Sequence, residues 1–175
     1  MWSGWGIRTL SADHASYNPF LYQLGAVWPH DNGIIALGFK RYGFGDEAAR
    51  VAEAITEAAS NLISFRLPEL YAGTERRPNT FPVQYLGANL PQAWAAGSVF
   101  HLLRAMLGLQ ADAPNGCLYV DPQLPDWLTG VTLRKLTVGT AHLTLHCWRE
   151  GARTCWDAQV DQGSLEVREK RWNPW

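Results

Sequence analysis

The sequence predicts a mainly α-helical chain that ends in a small antiparallel β-sheet. Three observations predict it. Apolar residues recur at helical spacing over about 46–64 and again over about 91–107. A nearly all-apolar stretch over about 31–42 reads as a buried helix beside them. From Val131 the apolar period becomes two, and Gly139, Gly151 and Gly163 mark turns between short strands.

The bulk numbers narrow the function. A chain of 175 residues suffices for one domain with a real core. Its net charge of −1 provides neither a basic field for nucleic acid nor a polybasic patch for a membrane surface. No apolar run approaches the ~20 residues that span a bilayer. The opening Met1-Trp-Ser-Gly-Trp lacks the basic start and apolar run of a secretory signal, so a cytoplasmic location is expected. Cys117, Cys147 and Cys155 are odd in number, irregularly spaced and without a C-x-x-C, which predicts free thiols, with neither a disulfide framework nor a zinc site. Nine tryptophans stand out, but flat rings with one polar edge suit a sugar face and a large core equally.

In chain order, residues 1–24 read as loop, punctuated by Gly4, Gly6, Asn18 and Pro19 and studded with Tyr17, Phe20 and Tyr22. The start reads like the middle of something larger. The first helix, about Asp31–Tyr42, is apolar nearly all round and is expected to be buried on most sides, with Gly43 as its C-cap. Asp46 is placed to cap the second helix, whose Ala48, Val51, Ala52, Ile55, Ala58, Ala59 and Leu62 form one face. Residues 66–90 are loop again, held so by Pro68, Pro78, Pro82 and two glycines. Pro91 opens the third helix, and small residues in its first half allow close helix neighbours. Leu118–Val120 and the two prolines that follow read as an extended connector to the strands.

Two stretches carry chemistry. In Trp28-Pro29-His30-Asp31-Asn32, an aromatic and three polar groups sit at the mouth of a helix. They form either an anchor and cap or the lip of a pocket, with Trp28 on a sugar face and His30 and Asp31 on ring hydroxyls. In Arg66–Gly73, Glu69 stands alone among Leu67, Pro68, Leu70 and Tyr71. It is either an exposed loop glutamate or a catalytic carboxylate whose pKa these neighbours raise by desolvation. Ser11, Asp13 and His14 are triad residue types, but no G-x-S-x-G elbow occurs. His142 and His146 share a strand face without an evident third metal ligand, and Arg76-Arg77 reads as a solvated surface pair.

SGWGIRTLS, YNPFLYQLGAVWPHDNGIIALGFKRYG, RLPELYAG, PVQYLGANLPQAWAAGSVFHLLRAMLGL and LYVDPQLPDWL follow one another in the sequence. In that order, over roughly residues 3–150, they resemble the C-terminal part of glycogen debranching enzyme, the amylo-α-1,6-glucosidase region, and related bacterial and archaeal (α/α)6-barrel glycosidases. The resemblance implies that residues 1–126 are the C-terminal part of an (α/α)6 barrel and that 127–175 are a small β-sheet extension. It implies inverting hydrolysis of α-glucosidic linkages by two carboxylates roughly 6.5–9.5 Å apart, acting on an α-glucan or small glycoside without metal or organic cofactor. Matched motif by motif, Glu69 takes the position of the family's general base. Trp28, His30 and Asp31 fall in its pocket-lining stretch, and Tyr17, Gln92 and Trp94 are substrate-binding candidates on the same grounds. The family's general acid, an Asp, lies upstream of SGWGIRTLS. The chain alone is therefore expected to be inactive, its partner being the N-terminal part of the barrel or a second chain. The alternative is a non-catalytic carbohydrate-binding or self-associating module.

Overall fold

The structure is a computed structural model that describes residues 1–171. The chain divides into two compact units, Met1–Leu37 with Arg50–Leu102, and Gly38–Ala49 with Leu103–Trp175. Its α-helices are α1 (Pro29–Arg41), α2 (Gly45–Ser60) and α3 (Ala93–Leu107). Its strands are β1 (Gln110–Asp112), β2 (Cys117–Val120), β3 (Gly130–Val138), β4 (Ala141–Glu150), β5 (Arg153–Gln162) and β6 (Glu166–Glu169).

This content overturns the expected barrel. Helix and strand are nearly balanced, at about 29% and 27%, so the fold is not mainly α. A barrel portion needs successive helical hairpins. Among the described residues only α1 and α2 follow one another as a pair, and α3 leads directly into β1. The stretches on either side of that pair, 1–28 and 61–92, contain no α-helix, because glycine and proline break them into turns and isolated bridges. The extension drawn at 127–175 takes in β3 to β6, its last four residues lying outside the described residues.

In the first unit, isolated antiparallel bridges join Arg8 to Val27, Val27 to Tyr71 and Tyr71 to Gln84. They tie the N-terminal loop, the approach to α1 and the Leu67–Gly73 segment into one ladder. Asn32, fully buried on α1, locks it. Its Oδ1 accepts the Ile7 N–H at 2.7 Å, and its Nδ2 donates to the Ile7 and Trp28 carbonyls at 3.1 and 2.9 Å. Tyr71, also fully buried, donates its hydroxyl to the Trp5 carbonyl at 2.6 Å. The small-residue expectation for α3 has a counterpart here: a Cβ on Gly33 would lie 3.1 Å from the His101 Cβ and 3.3 Å from Ser98.

The helices begin and end for identifiable reasons. Pro29 occupies the first turn of α1. At the other end Gly43 (φ +86°) donates to the Lys40 carbonyl and Phe44 to the Phe39 carbonyl, a Schellman closure. The rings of Phe39 and Phe44, 6.4 Å apart, supply its apolar contact. Helix α2 stops at Ser60, short of the expected 64, where the side chains of Ser60 and Asn61 both take the Glu57 carbonyl. Pro91 lies ahead of α3 rather than inside it, and the Gln92 side chain receives the Ala95 N–H at 2.8 Å as the cap. Helix α1 is less buried than its composition implied, since Ile34 on it is 53% exposed.

The second unit is built on two three-stranded sheets, ordered β1-β2-β6 and β3-β4-β5. Strand β4 alternates as the period-two pattern requires, burying Leu143, Leu145 and Cys147. They pack with Leu107, Leu118, Val120, Leu124 and Val138. The presumed connector at Leu118–Val120 is strand β2, which pairs in parallel with β6. The nearly buried Lys40 meets Asp121 at 2.9 Å. All three cysteines are free, and burial pushes the Cys147 thiol up to about 11. Among the described residues no helix is long and apolar enough to cross a membrane.

Replacing Asn32 tests the lock on the ladder. Asn32→Leu leaves the Ile7 N–H and C=O without their partner, while the Trp28 carbonyl keeps the backbone N–H of residue 32, and each unsatisfied group costs roughly 1–3 kcal/mol. Urea denaturation followed by tryptophan fluorescence is expected to show a loss of at least ~2 kcal/mol. A change within about 0.5 kcal/mol, the range of an ordinary surface substitution, would show that the amide is dispensable.

Candidate functional site

All residues from Leu67 to Gly73 are buried, Glu69 included at 7% exposure. Backbone bonds between Val27 and Tyr71, at 2.9 and 3.0 Å, hold this segment against the approach to α1. The Glu69 N–H donates to the Asn89 carbonyl at 3.0 Å. The Glu69 carboxylate is thereby presented to three donors. The Tyr22 hydroxyl donates to Oε1, while the Asn89 N–H and Nδ2 donate to Oε2 at 3.2 and 2.8 Å.

These donors decide the charge of Glu69. The sequence suggested that apolar neighbours would raise its pKa. The structure corrects this: the Tyr22 hydroxyl, then the Asn89 backbone N–H, hold the carboxyl below its ordinary value against the upward push of desolvation. The same bond to Glu69 pushes the Tyr22 phenol up from its ordinary value. Glu69 is thus an ionised carboxylate in a nearly dry setting.

A row of rings runs from this carboxylate. Tyr22 meets Tyr85 at 6.1 Å and Trp28 at 4.5 Å, both edge to face. Trp28 meets His30 at 5.5 Å, and His30 meets Trp94 at 5.0 Å. The Trp28 indole N–H donates to the Tyr22 carbonyl at 2.9 Å, which fixes the loop that carries Tyr22. His30 Nε2 lies 3.0 Å from Asp31 Oδ1. Its Nδ1 is buried and has no partner among the described residues. With the Nε2 proton directed to Asp31, Nδ1 is left as an acceptor. Trp94, at the far end, is 64% exposed. The row offers acceptors, ring edges and one open indole, a set suited to a ligand rich in hydroxyls.

The structure therefore places five of the predicted residues, Trp28, His30, Asp31, Glu69 and Trp94, in one cluster. Tyr17 and Gln92 are engaged elsewhere: the Tyr17 hydroxyl donates to the Gly73 carbonyl at 2.9 Å, and Gln92 caps α3. Tyr22, Tyr85 and Asn89 were missed as site residues. Tyr22 lies inside the aromatic loop before Trp28, which was a usable signal. Asn89 carries none, because its role rests on a contact 20 residues away.

The remaining candidates have ordinary structural roles. Ser11 donates to Asp13 at 3.2 Å and His14 accepts the Ser16 N–H at 3.1 Å, both within a turn. His142 bonds Thr137 at 3.0 Å, and His146 stacks on Trp148 at 4.9 Å. No group of metal-ligating side chains occurs among the described residues. Arg76 is not simply a solvated cation, since it grips Glu57 at 2.5 and 2.7 Å and covers the Trp5 ring at 4.6 Å. Compared with known proteins, the chain is matched by no family model, and no curated protein matches it.

The Glu69 shift has a sign that can be checked. Because the folded value lies below the unfolded one, the ionised group stabilises the fold above the ordinary carboxylate range. That contribution is lost as pH falls through the depressed value. Glu69→Gln is expected to flatten stability against pH below ~4.3, where an unperturbed Glu titrates. Tyr22→Phe is expected to move the Glu69 carboxyl titration upward in carbon-13 NMR. An unmoved titration would remove Tyr22 as the leading cause.

Proposed function

We propose that Glu69 is the general base of a glycoside-hydrolysing site for α-glucosidic linkages, of the glycogen-debranching type. In this reading Trp28, His30, Asp31 and Trp94 hold the sugar. The carrying observation is a nearly buried carboxylate, kept ionised by hydrogen bonds, at one end of an aromatic row that opens at Trp94. A carboxylate oxygen has two lone-pair directions. Asn89 takes both of those on Oε2, whereas Tyr22 takes one on Oε1. Oε1 is then the atom that accepts a proton from the attacking water. In inversion this water approaches the sugar from the face opposite the acid. The acid, in this proposal, comes from a segment or chain other than this one. The reaction needs no cofactor, and the three free thiols suit a cytoplasmic setting.

A second reading, a carbohydrate-binding module without turnover, is favoured by the same bonds seen differently. Three donors that hold a carboxylate rigid also make it a fixed acceptor for sugar hydroxyls.

Hydrolysis separates the two readings. Turnover of α-1,6-linked glucosides is measured on this chain and on any longer natural form of it. Glu69→Gln is expected to lower turnover by ~10²–10⁴-fold while oligosaccharide binding persists. Unchanged turnover would end the general-base reading. If no form hydrolyses anything while Trp94→Ala weakens oligosaccharide binding, the binding module is the correct reading.

A further inference from the structure

Arg8 carries a charge that the described residues do not neutralise. It is only 6% exposed. Its Nε donates to the Gly73 carbonyl at 2.6 Å and its Nη1 to the Trp2 carbonyl at 2.7 Å. Its guanidinium carbon lies 5.6 Å from the centre of the Tyr17 ring. Carbonyl dipoles and a ring face ease the burial of a cation, yet no carboxylate among the described residues is within ion-pair distance of it. A guanidinium has five N–H donors, of which two are used here. The other three, one on Nη1 and two on Nη2, meet no acceptor among the described residues. A nearly buried cation with unused donors is costly unless an anion completes it.

Arg8 also lines a cavity of about 670 Å³, shared with Asp13, Tyr17, Thr74, Glu75 and Arg77. That is the size of a small-molecule site. Its two carboxylates are already engaged, Glu75 with Arg77 at 3.0 Å and Asp13 with the Ser11 hydroxyl at 3.2 Å. Each has acceptor capacity left for a hydroxyl. Arginine grips two oxygens of one phosphate or carboxylate through parallel N–H bonds, and Nη1 and Nη2 are the end of Arg8 that retains such donors.

We propose that this cavity binds a sugar that bears an oxyanion. The unused Nη1 and Nη2 donors of Arg8 hold the oxyanion, while Asp13 and Glu75 accept from the sugar hydroxyls. The site is independent of the Glu69 reading, because none of these residues belongs to the Tyr22–Trp94 row.

Calorimetric titration at low salt of this chain with glucose 6-phosphate, glucuronate and glucose tests it. At least one charged sugar is expected to bind saturably and neutral glucose not to. Which charged sugar binds identifies the anion as phosphate or carboxylate. Arg8→Gln, which retains a donor for a carbonyl but removes the charge, is expected to weaken binding at least tenfold. Nitrogen-15 NMR of the Arg8 Nε–H in the unaltered protein provides a measure that does not depend on the variant folding. That signal is expected to shift in step with occupancy. Failure of both charged sugars to bind, equal binding of glucose, or an Arg8 signal unmoved at saturation would each overturn the proposal.

Discussion

One side-chain amide holds the first unit in register. Asn32 sits in the first turns of α1 with no exposed surface, and it exchanges hydrogen bonds in both directions with the backbone of Ile7. Ile7 bridges Trp2, but that bridge uses neither the Ile7 N–H nor its C=O, and these two groups have no strand as partner. The amide serves as one, replacing two ladder bonds with two side-chain bonds. Arg8 follows at once and begins the sequence of bridges through Val27 and Tyr71 to Gln84. Leu67–Gly73, and Glu69 with it, is therefore positioned by a side chain on a helix rather than by a continuous sheet. A residue that reads locally as a helix cap thus organises strands drawn from three parts of the chain.

The chemistry of Glu69 follows from a contest between two kinds of neighbour. Those beside it in sequence, Leu67, Pro68, Leu70 and Tyr71, exclude water and favour the neutral acid. Those brought to it by folding, Tyr22 and Asn89, donate hydrogen bonds and favour the anion. The donors prevail. Hydrogen bonding to the charged form is strongest where water is scarce, so the burial that would neutralise a lone carboxyl also strengthens the bonds that keep this one ionised.

What the sequence made legible was local. The three helices lie close to where helical spacing put them, and the end of α1 was marked by Gly43. The period-two stretch after Val131 became β3, β4 and β5, with Leu143, Leu145 and Cys147 facing inward as alternation requires. The barrel did not follow, because motif order is a property of the sequence whereas a barrel requires further helices that glycine and proline prevent in 1–28 and 61–92. Pairing across distance was equally hidden. Nothing near Cys117 announces Glu166 as its partner on β6, and nothing near Glu69 announces Tyr22. Trp28, His30 and Glu69 were legible as candidates that the fold brings into one cluster because each is an unusual residue for its place. Gln92 was misplaced because a capping glutamine and a ligand-binding one look identical until the helix start is known.

The glycine at the end of the Leu67–Gly73 segment has a consequence for how this sequence can change over time. Its carbonyl receives both Arg8 and Tyr17, and a Cβ at Gly73 would fall on the Gly25 carbonyl oxygen. Gly25 is itself at φ +147°, where a Cβ would lie 2.6 Å from the Tyr17 ring, so each glycine is denied a side chain by its own neighbours. Selection at these two positions acts on the absence of a group, and a compensating change elsewhere cannot supply an absence. The rings of the Tyr22–Trp94 row are held differently, by bonds that Tyr22, Trp28 and His30 each make. The glycine pair is fixed by the space it must leave empty.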